Sequence, residues 1–439
     1  MTPDAKPSVA IIGGGYAGMA AAVALAARDV PVTVFEAAPT LGGRARRVTV
    51  NDTALDNGLH ILIGAYTETL RLIAQVAAPR STMSDLLLRT PLDLRVQGKL
   101  HLRAPKLPAP LHLAWALLTA RGLSGADKRA LAAFMRAMKQ RRWQLEQDCT
   151  VTTLLEECSQ TIDLIDYFFR PLCLAALNTP AERASAQVFV NVLRDSLGST
   201  RAASDLLLAR TDLTALFPKP AAAYVRARGG RVEAGATVDS VVREHHQFML
   251  HVQGNKRSFD QVICAVAPHR AAPLLAGIGE LLPVLRQVEA LRYEPIHSVW
   301  LQFEGPVTLP APMIGLAGST AQWLFDREAI CGQRGLIGAV ISASEGQVGE
   351  AQDALAQRIV ADIAAHFGPL PPLKWHRVIA EKRATFSCTP NLTRPAARTP
   401  CPGFVLAGDY LASDYPATIE SAVRSGIAAA ALIRETPGV

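Results

Sequence analysis

Three glycines and one acidic residue near the start of this 439-residue chain have a spacing that suits dinucleotide binding. Gly13, Gly15 and Gly18 form the pattern G-x-G-x-x-G directly after the apolar run at 9–12, and Glu36 ends the next apolar run. The first glycine permits a tight turn, the second lets a pyrophosphate approach the backbone, and the third lets a helix pack close to a strand. The helix N-terminus attracts phosphate, and the acid accepts hydrogen bonds from a ribose. The sequence therefore predicts a strand–helix–strand unit that binds a dinucleotide.

A second candidate region lies near the C-terminus. The apolar run that starts at Phe404 ends at Gly408 and Asp409, and a helix is predicted to begin near Thr418 and Ile419. A carboxylate at the end of a buried strand is a strong acceptor for hydroxyl groups, and a helix N-terminus offers N–H donors to an electron-poor ring. This region is predicted to contact the same cofactor.

Two further segments lie between these regions. One is a Gly-Gly-Arg segment with Gly43 and Arg44, and the other is an Asp-Asn-Gly-Leu-His segment with Gly58 and His60. Together these segments resemble the flavoprotein superfamily of amine oxidases and phytoene desaturases. The resemblance implies FAD as cofactor, with the Gly-Gly-Arg segment near its phosphates, the Gly-Asp carboxylate on its ribityl chain, and the backbone at Val238 against its adenine. No cysteine occurs in the C-terminal flavin segment, so non-covalent FAD is expected.

The fold class implied is α/β, with a Rossmann-like FAD-binding domain interleaved with an α+β substrate domain. A chain of this length is expected to hold two or three domains. Buried-strand patterns return to the nucleotide-binding type near 219 and again near 400. The predicted boundaries are 1–80, 219–285 and 396–439 for the FAD-binding domain, 81–218 for a mainly helical part of the substrate domain, and 286–395 for its sheet and helix.

The middle of the chain narrows the resemblance. Its distinctive segments are 173–180, 184–197, 203–208, 212–218 and 381–386, and together they resemble the hydroxysqualene dehydroxylase family of bacterial hopanoid biosynthesis. One departure is Leu174-Ala175, where the family pattern has Asn-Ala. The resemblance implies reduction of hydroxysqualene, a lipophilic small molecule, to squalene. Two alternatives stay open: a carotenoid-type desaturase or amine oxidase of the same fold, and a non-enzymatic isoprenoid-binding protein.

Three residues are candidates for the catalytic chemistry. Hydroxide is a poor leaving group, so a group near the flavin must protonate it or stabilise an allylic cation. His60 and Lys382 are the candidates beside the flavin, and Asn178 is a third. Each of them also has a non-catalytic interpretation: His60 holds a turn, Lys382 is a strand-edge charge in water, and Asn178 precedes a helix capped by Thr179.

Composition excludes several classes of function. The net charge is +7, but no nucleic-acid-binding module is present. Seven scattered cysteines and ten histidines show no metal-ligand spacing, so neither a metal site nor a disulfide framework is expected. No second strand–G-x-G-x-x-G unit occurs, so the electrons are expected from an external donor, NADPH or a reductase. The short polar N-terminus is not a signal peptide, which predicts a cytoplasmic protein.

A basic stretch in the first half of the chain has two interpretations. Residues 121–142 contain seven Lys/Arg and one acid, and an apolar run at 111–118 precedes them. Apolar residues at helical spacing within the basic stretch are typical of an ordinary surface helix with one buried stripe. They also suit a segment that lies on an anionic membrane. Peripheral contact with the inner face of the cytoplasmic membrane is therefore the second interpretation.

Overall fold

A computed structural model describes residues 6–434 of the chain. The strands of this part are β1 (Val9–Ile12), β2 (Val32–Glu36), β3 (Arg47–Val50), β4 (Thr53–Asp56), β5 (Leu62–Ile63), β6 (Leu87–Thr90), β7 (Asp93–Val96), β8 (Leu100–Arg103), β9 (Leu206–Ala209), β10 (Arg231–Ala234), β11 (Val238–Glu244), β12 (Gln247–Val252), β13 (Asn255–Phe259), β14 (Gln261–Cys264), β15 (Tyr293–Phe303), β16 (Met313–Gly315), β17 (Trp323–Asp326), β18 (Leu336–Ser342), β19 (Leu373–Phe386) and β20 (Phe404–Leu406).

The α-helices of the described residues are α1 (Tyr16–Ala26), α2 (Thr67–Val76), α3 (Met83–Leu86), α4 (Leu111–Thr119), α5 (Gly125–Gln140), α6 (Val151–Glu157), α7 (Ile162–Leu164), α8 (Arg170–Leu177), α9 (Ala186–Ser196), α10 (Leu213–Leu216), α11 (Pro218–Arg226), α12 (Pro268–Leu275), α13 (Leu282–Glu289), α14 (Arg327–Cys331), α15 (Gln352–Phe367) and α16 (Ile419–Leu432). A π-helical turn, Ile165–Phe169, joins α7 to α8.

A five-stranded parallel sheet forms the centre of the nucleotide-binding half. Its order is β10-β2-β1-β14-β20, so its strands come from three distant stretches of the chain. Parallel sheets are normally covered on both faces, and the continuous burial of β1 and β14 fits this rule. Helices α1, α11 and α16 share one apolar cluster with this sheet. The antiparallel strands β11–β13 cover the other face, where Phe35 meets Phe259 edge to face at 5.8 Å.

A seven-stranded mixed sheet forms the other half, in the order β19-β15-β18-β17-β16-β7-β8. The long strands β15 and β19 pair antiparallel, with register shifts between Glu294 and Ile296 and near Phe303. Helix α15 covers one face, where Ile359 and Ile363 share an apolar cluster with β15 and β18. This half supplies a second wall for the end of the nucleotide sheet.

The predicted fold class is confirmed: a Rossmann-like sheet is interleaved with a mixed sheet and helices. The domain boundaries given above stay a prediction. One local prediction was wrong, because no helix begins at Thr179: α9 begins at Ala186, and the Ser185 hydroxyl accepts its first hydrogen bond, from Val188 N. The Thr179 hydroxyl is used elsewhere, since it accepts from the backbone N–H of Cys388 at 3.0 Å.

Two features bear on location and redox chemistry. Within residues 6–434, no helix is long and apolar enough to span a bilayer. Residues 1–5, which are part of the segment on which the absence of a signal peptide was predicted, lie outside the described residues. All seven cysteines are unpaired thiols, and four of them are buried.

Candidate active site

The carboxyl ends of four neighbouring parallel strands converge on one edge of the nucleotide sheet. Gly13 follows β1, Glu36 ends β2, Ala265 follows β14, and Asp409 follows β20 after a short turn. In open α/β sheets this edge, at the point where strand connections diverge, is where nucleotides bind. The sequence motifs singled out above are therefore brought together by the topology of the sheet.

Of the three glycines in the first loop, Gly13 and Gly18 are tightly enclosed, whereas Gly15 has open space beside it. Gly13 has φ +109°, and a Cβ on Gly18 would lie 1.9 Å from the carbonyl oxygen of Gly13, so both must be glycine. A Cβ on Gly15 would meet nothing closer than Gly43 Cα, at 3.8 Å. The N-terminus of α1, which begins at Tyr16, has no side-chain cap. Open space beside uncapped helix N–H groups fits a pyrophosphate, which needs both close approach and donors.

Glu36 is held firmly at the end of β2. Its carboxylate accepts hydrogen bonds from Gly14 N at 2.6 Å and from Ala38 N at 2.8 Å. A carboxylate has about four acceptor sites, so two remain for a ribose. The carbonyl oxygen of Glu36 also accepts from Ala236 N at 2.9 Å, just before Val238 begins β11. Val238 therefore lies two residues beyond a backbone contact with Glu36, which fits contact of both residues with one adenosine.

Arg44 and Asp409 form an ion pair that joins the two ends of the chain. Arg44 Nη2 donates to Asp409 Oδ1 at 2.6 Å, and Nη1 donates to the carbonyl oxygen of Ala384 on β19. Burial alone would lower the pKa of Arg44, but the charge of Asp409 raises it above its usual value. The Gly408 N–H donates to Ser425 Oγ on α16 at 2.8 Å, which fixes the turn before Asp409. The pair therefore links both sheets at the sheet edge.

His60 lies beside this ion pair in a defined tautomer. Its Nδ1 is 2.9 Å from the carbonyl oxygen of Gly58, which can only accept, so Nδ1 carries the proton and Nε2 is a free acceptor. Burial lowers the pKa of His60, and the nearby Arg44 lowers it further. The imidazole is therefore neutral at pH 7. This arrangement permits both interpretations of His60, a turn-holding residue and a group that meets substrate.

The helix predicted near Thr418 begins where the sequence indicated. Thr418 is the N-cap of α16, and its hydroxyl accepts from Ser421 N at 3.1 Å. This cap leaves the N–H groups of Ile419 and Glu420 at the open end of the helix. They can serve an electron-poor ring near Asp409.

Asn178 and Lys382 lie in different surroundings from His60. The Asn178 side chain donates to Glu294 O and Thr385 Oγ1 and accepts from Ala343 N at 2.7 Å, so its amide ties α8 to the mixed sheet. Lys382 is exposed, and its side chain has no hydrogen bond or ion pair within residues 6–434. These contacts favour a structural role for Asn178 and a solvated charge for Lys382. Catalysis by either residue stays a prediction.

Sequence reasoning missed four polar residues near Arg44. Glu381 and Arg383 flank Lys382 on β19, and neighbouring side chains of a strand point to opposite faces. The charge of Glu381 acts on Arg44, while Arg383 acts on Tyr293 and on His269. Burial raises the pKa of Tyr293, which keeps its proton, and lowers the pKa of His269. Nothing in the sequence marks Tyr293 or His269. Strand alternation alone does not identify Glu381 and Arg383 either, because the pairing of β15 with β19 is irregular opposite them.

Comparisons with known proteins agree with this geometry. The model of the family described as flavin-containing amine oxidoreductase matches residues 16–434. The chain is 30% identical to a hydroxysqualene dehydroxylase from Rhodopseudomonas palustris, over 97% of this chain and 98% of that protein. It is 25% identical to a chloroplastic/chromoplastic zeta-carotene desaturase from Zea mays, over 96% of this chain and 82% of that protein. A solved putrescine oxidase has the same fold, with a TM-score of 0.71, 16% identity and coverage of 97% and 98%.

The family match and the geometry lead to one conclusion. The residues at the sheet edge fit FAD, since the space beside Gly15, the uncapped α1 and the carboxylate of Glu36 suit its adenosine diphosphate half. The match spans nearly all of the described chain, including both walls of the site. The chain belongs to the family of flavin-containing amine oxidoreductases and is an FAD-dependent oxidoreductase.

Proposed function

We propose that this protein is a hydroxysqualene dehydroxylase, which replaces the hydroxyl group of hydroxysqualene by hydrogen and yields squalene and water. The observation that carries the proposal is the 30% identity with a hydroxysqualene dehydroxylase along nearly the full length of both chains. The identity with the desaturase is lower, and the chain spans less of that protein. The complete set of nucleotide-site residues argues against a non-enzymatic isoprenoid binder, which would not need it.

The proposal assigns roles to the residues at the cofactor. Gly13, Gly15 and Gly18 admit the pyrophosphate, and Glu36 accepts from the ribose of the adenosine. Gly43 and Gly58 keep the backbone close to the cofactor, and the remaining contacts are assigned to Arg44, Val238, Gly408, Asp409, Thr418 and Ile419. FAD is held without a covalent bond in this assignment. When reduced, FAD supplies the hydride that replaces the hydroxyl group.

Side chains of the protein then have to orient the substrate hydroxyl group and assist its departure. In this proposal His60 accepts a hydrogen bond from the substrate hydroxyl and so orients it. Its neutral state and its free Nε2 support that role. Tyr293, whose raised pKa keeps it protonated, is suited to donate a hydrogen bond to the leaving oxygen. Leu59, Ile61 and Val266 are only half-buried although they pack on the main core, so they offer an apolar wall to a polyene. Excluding water there would strengthen each of these polar contacts.

The electrons and the location are part of the same proposal. Replacing C–OH by C–H consumes two electrons and two protons and releases water, so an external donor, NADPH or a reductase, must reduce the cofactor in each cycle. Hydroxysqualene partitions into lipid, so we infer that the protein works in the cytoplasm in peripheral contact with the membrane.

Anaerobic product analysis tests the reaction. The chemically reduced enzyme is mixed with hydroxysqualene, and the absorbance of oxidised flavin is followed together with squalene formation. The expected result is one flavin reoxidised per squalene, with deuterium transferred to product when flavin N5 is deuterated. The oxidised enzyme should not be bleached by substrate. Squalene without label would rule out hydride delivery from the flavin. Bleaching of the oxidised enzyme by a polyene that still has saturated C–C bonds would instead contradict the proposal and favour a desaturase.

A further inference from the structure

Helix α4 exposes an apolar stripe on the protein surface. In the described residues, seven large apolar side chains are exposed, and four of them lie in this one stretch: Leu107 at 37%, Leu111 at 56%, Trp115 at 53% and Leu118 at 70%. The last three are spaced by four and three residues, so they share one face of α4. Clustering of this kind on an otherwise ordinary surface marks an interaction site.

The neighbouring helix α5 does not take part in this stripe. Its apolar residues Leu131, Phe134 and Met138 are buried in the main core. Its exposed side carries Arg129, Arg136 and Lys139. The apolar contact predicted for the segment at 121–142 is therefore wrong for α5, because the core already covers its apolar side.

A basic cavity of about 510 Å³ adjoins the stripe. Its lining includes Trp115 and Thr119 of α4, His101 and Arg103 of β8, Lys106 of the loop after β8, and Arg121, which follows α4. Trp115 belongs to both the stripe and the cavity wall, so the two surfaces are continuous. An indole with one apolar and one polar side is typical of the boundary between lipid chains and headgroups.

The positive charge of this cavity is largely uncompensated. Asp93 accepts from Arg95 and from His101 at 3.0 Å, and it lies 3.9 Å from Arg103. Lys106 and Arg121 have no acidic partner within residues 6–434. From residue 94 to residue 145 the chain has eleven Lys/Arg and one acid, Asp127, whose carboxylate accepts from Ser124 N and Thr161 Oγ1. The rim therefore favours an anionic partner.

We propose that α4 inserts its stripe into a bilayer while the cavity at His101, Lys106 and Arg121 binds the phosphate of an anionic lipid headgroup. An amphipathic segment of this type lies in the plane of the interface, with its apolar side buried about 5–10 Å. Insertion of Leu111, Trp115 and Leu118 would bring the cavity to the depth of the headgroup phosphates. The assignment rests on the membrane contact proposed above, and it specifies which surface makes that contact and how the protein is oriented. It does not depend on which reaction the enzyme catalyses.

Vesicle co-sedimentation of the full FAD-loaded protein tests the assignment. Vesicles of phosphatidylcholine alone are compared with vesicles that also contain phosphatidylglycerol. Leu111→Ser/Trp115→Ser/Leu118→Ser is matched with Ile162→Ser/Leu282→Ser, which removes exposed apolar residues elsewhere. Lys106→Glu/Arg121→Glu is matched with Arg141→Glu/Arg142→Glu, on the same basic stretch but outside the cavity. All positions are exposed, so each variant is expected to fold and to keep its flavin spectrum.

We expect tight binding only to the anionic vesicles, with at least about a tenfold loss in the stripe and cavity variants and less than about a twofold loss in the controls. Equal binding by the stripe variant, or an equal loss in the matched controls, would overturn the assignment. Displacement by inorganic phosphate beyond that caused by chloride of equal ionic strength would also overturn it, since the cavity would then be a site for a soluble anion. Flavin reoxidation by detergent-dispersed hydroxysqualene should be normal in all variants, so failure of the reaction and failure of docking give different results.

Discussion

Replacing Gly15 by valine should abolish tight FAD binding while the fold survives. Gly15 has φ −75° and ψ −176°, an extended conformation that any residue adopts, and a Cβ there would lie 3.8 Å from its nearest neighbour. Loss of glycine at an N-cap costs the fold about 0.5–1.5 kcal/mol, a small part of total stability. The added side chain fills the space that the pyrophosphate needs.

The expected loss of affinity follows from the contacts removed. One or two charge-assisted hydrogen bonds to phosphate are lost, at about 1.5–3 kcal/mol each, which corresponds to roughly 10-fold to 10⁴-fold weaker binding. Titration of the apoprotein with FAD, followed by flavin fluorescence, measures it, and thermal unfolding of the apoprotein measures stability.

Two other glycines serve as controls for this experiment. Gly346→Val adds a Cβ with nothing within 4 Å and should change neither quantity. Gly18→Ala places a Cβ 1.9 Å from Gly13 O, so it should lower the stability of the apoprotein as well as FAD binding. A folded Gly15→Val variant with wild-type affinity for FAD would refute the placement of the pyrophosphate at α1.

Four further predictions concern single side chains. Glu36→Ala should weaken FAD binding by about 1–3 kcal/mol in the same titration, because the ribose loses a charged acceptor. Burial raises the pKa of Asp56 to about 7. The stabilisation by protonated Asp56 is then fully present below about pH 4 and is lost as pH rises through 7, which lowers the free energy of unfolding by up to about 4 kcal/mol. Urea unfolding at pH 5 and pH 8 should show this decrease in the wild type and not in Asp56→Asn. His60→Ala should slow flavin reoxidation with FAD still bound. Glu381→Gln should slow it more than Lys382→Met, because the charge of Glu381 acts on Arg44 at the site whereas Lys382 is exposed.

Local patterns predicted the nucleotide site because each of its parts depends on a few adjacent residues. A strand followed by G-x-G-x-x-G and an acid at the next strand end describes one compact unit. The structure brings the glycine loop and Glu36 together as that spacing implies, since Gly14 N donates to the Glu36 carboxylate. Thr418 was likewise found from the start of one helix. These signals need no knowledge of distant partners.

The part of the site formed with the mixed sheet could not be predicted from local sequence patterns. The contact of Arg44 with Asp409 joins residues 365 positions apart, and no pattern in the sequence pairs them. Which of Glu381 and Lys382 faces Arg44 depends on the register of β15 and β19, which shifts at an irregularity near Glu294. The cap predicted at Thr179 failed because its hydroxyl found a tertiary partner on another segment. Tertiary contacts therefore overrode local preferences on this side.

The interleaved sheet also determines when the protein can first hold its cofactor. Strand β20 is the edge strand beside β14, and Gly426 of α16 packs so closely on α1 that a Cβ there would lie 2.1 Å from Ala17 O. During synthesis, β1 and α1 emerge nearly 400 residues before these partners. The apolar surfaces of β1 and α1 therefore stay partly exposed until these partners are synthesised. Such long-range pairing slows folding and favours aggregation. We therefore expect FAD capture to be a late event, which follows the synthesis of α16.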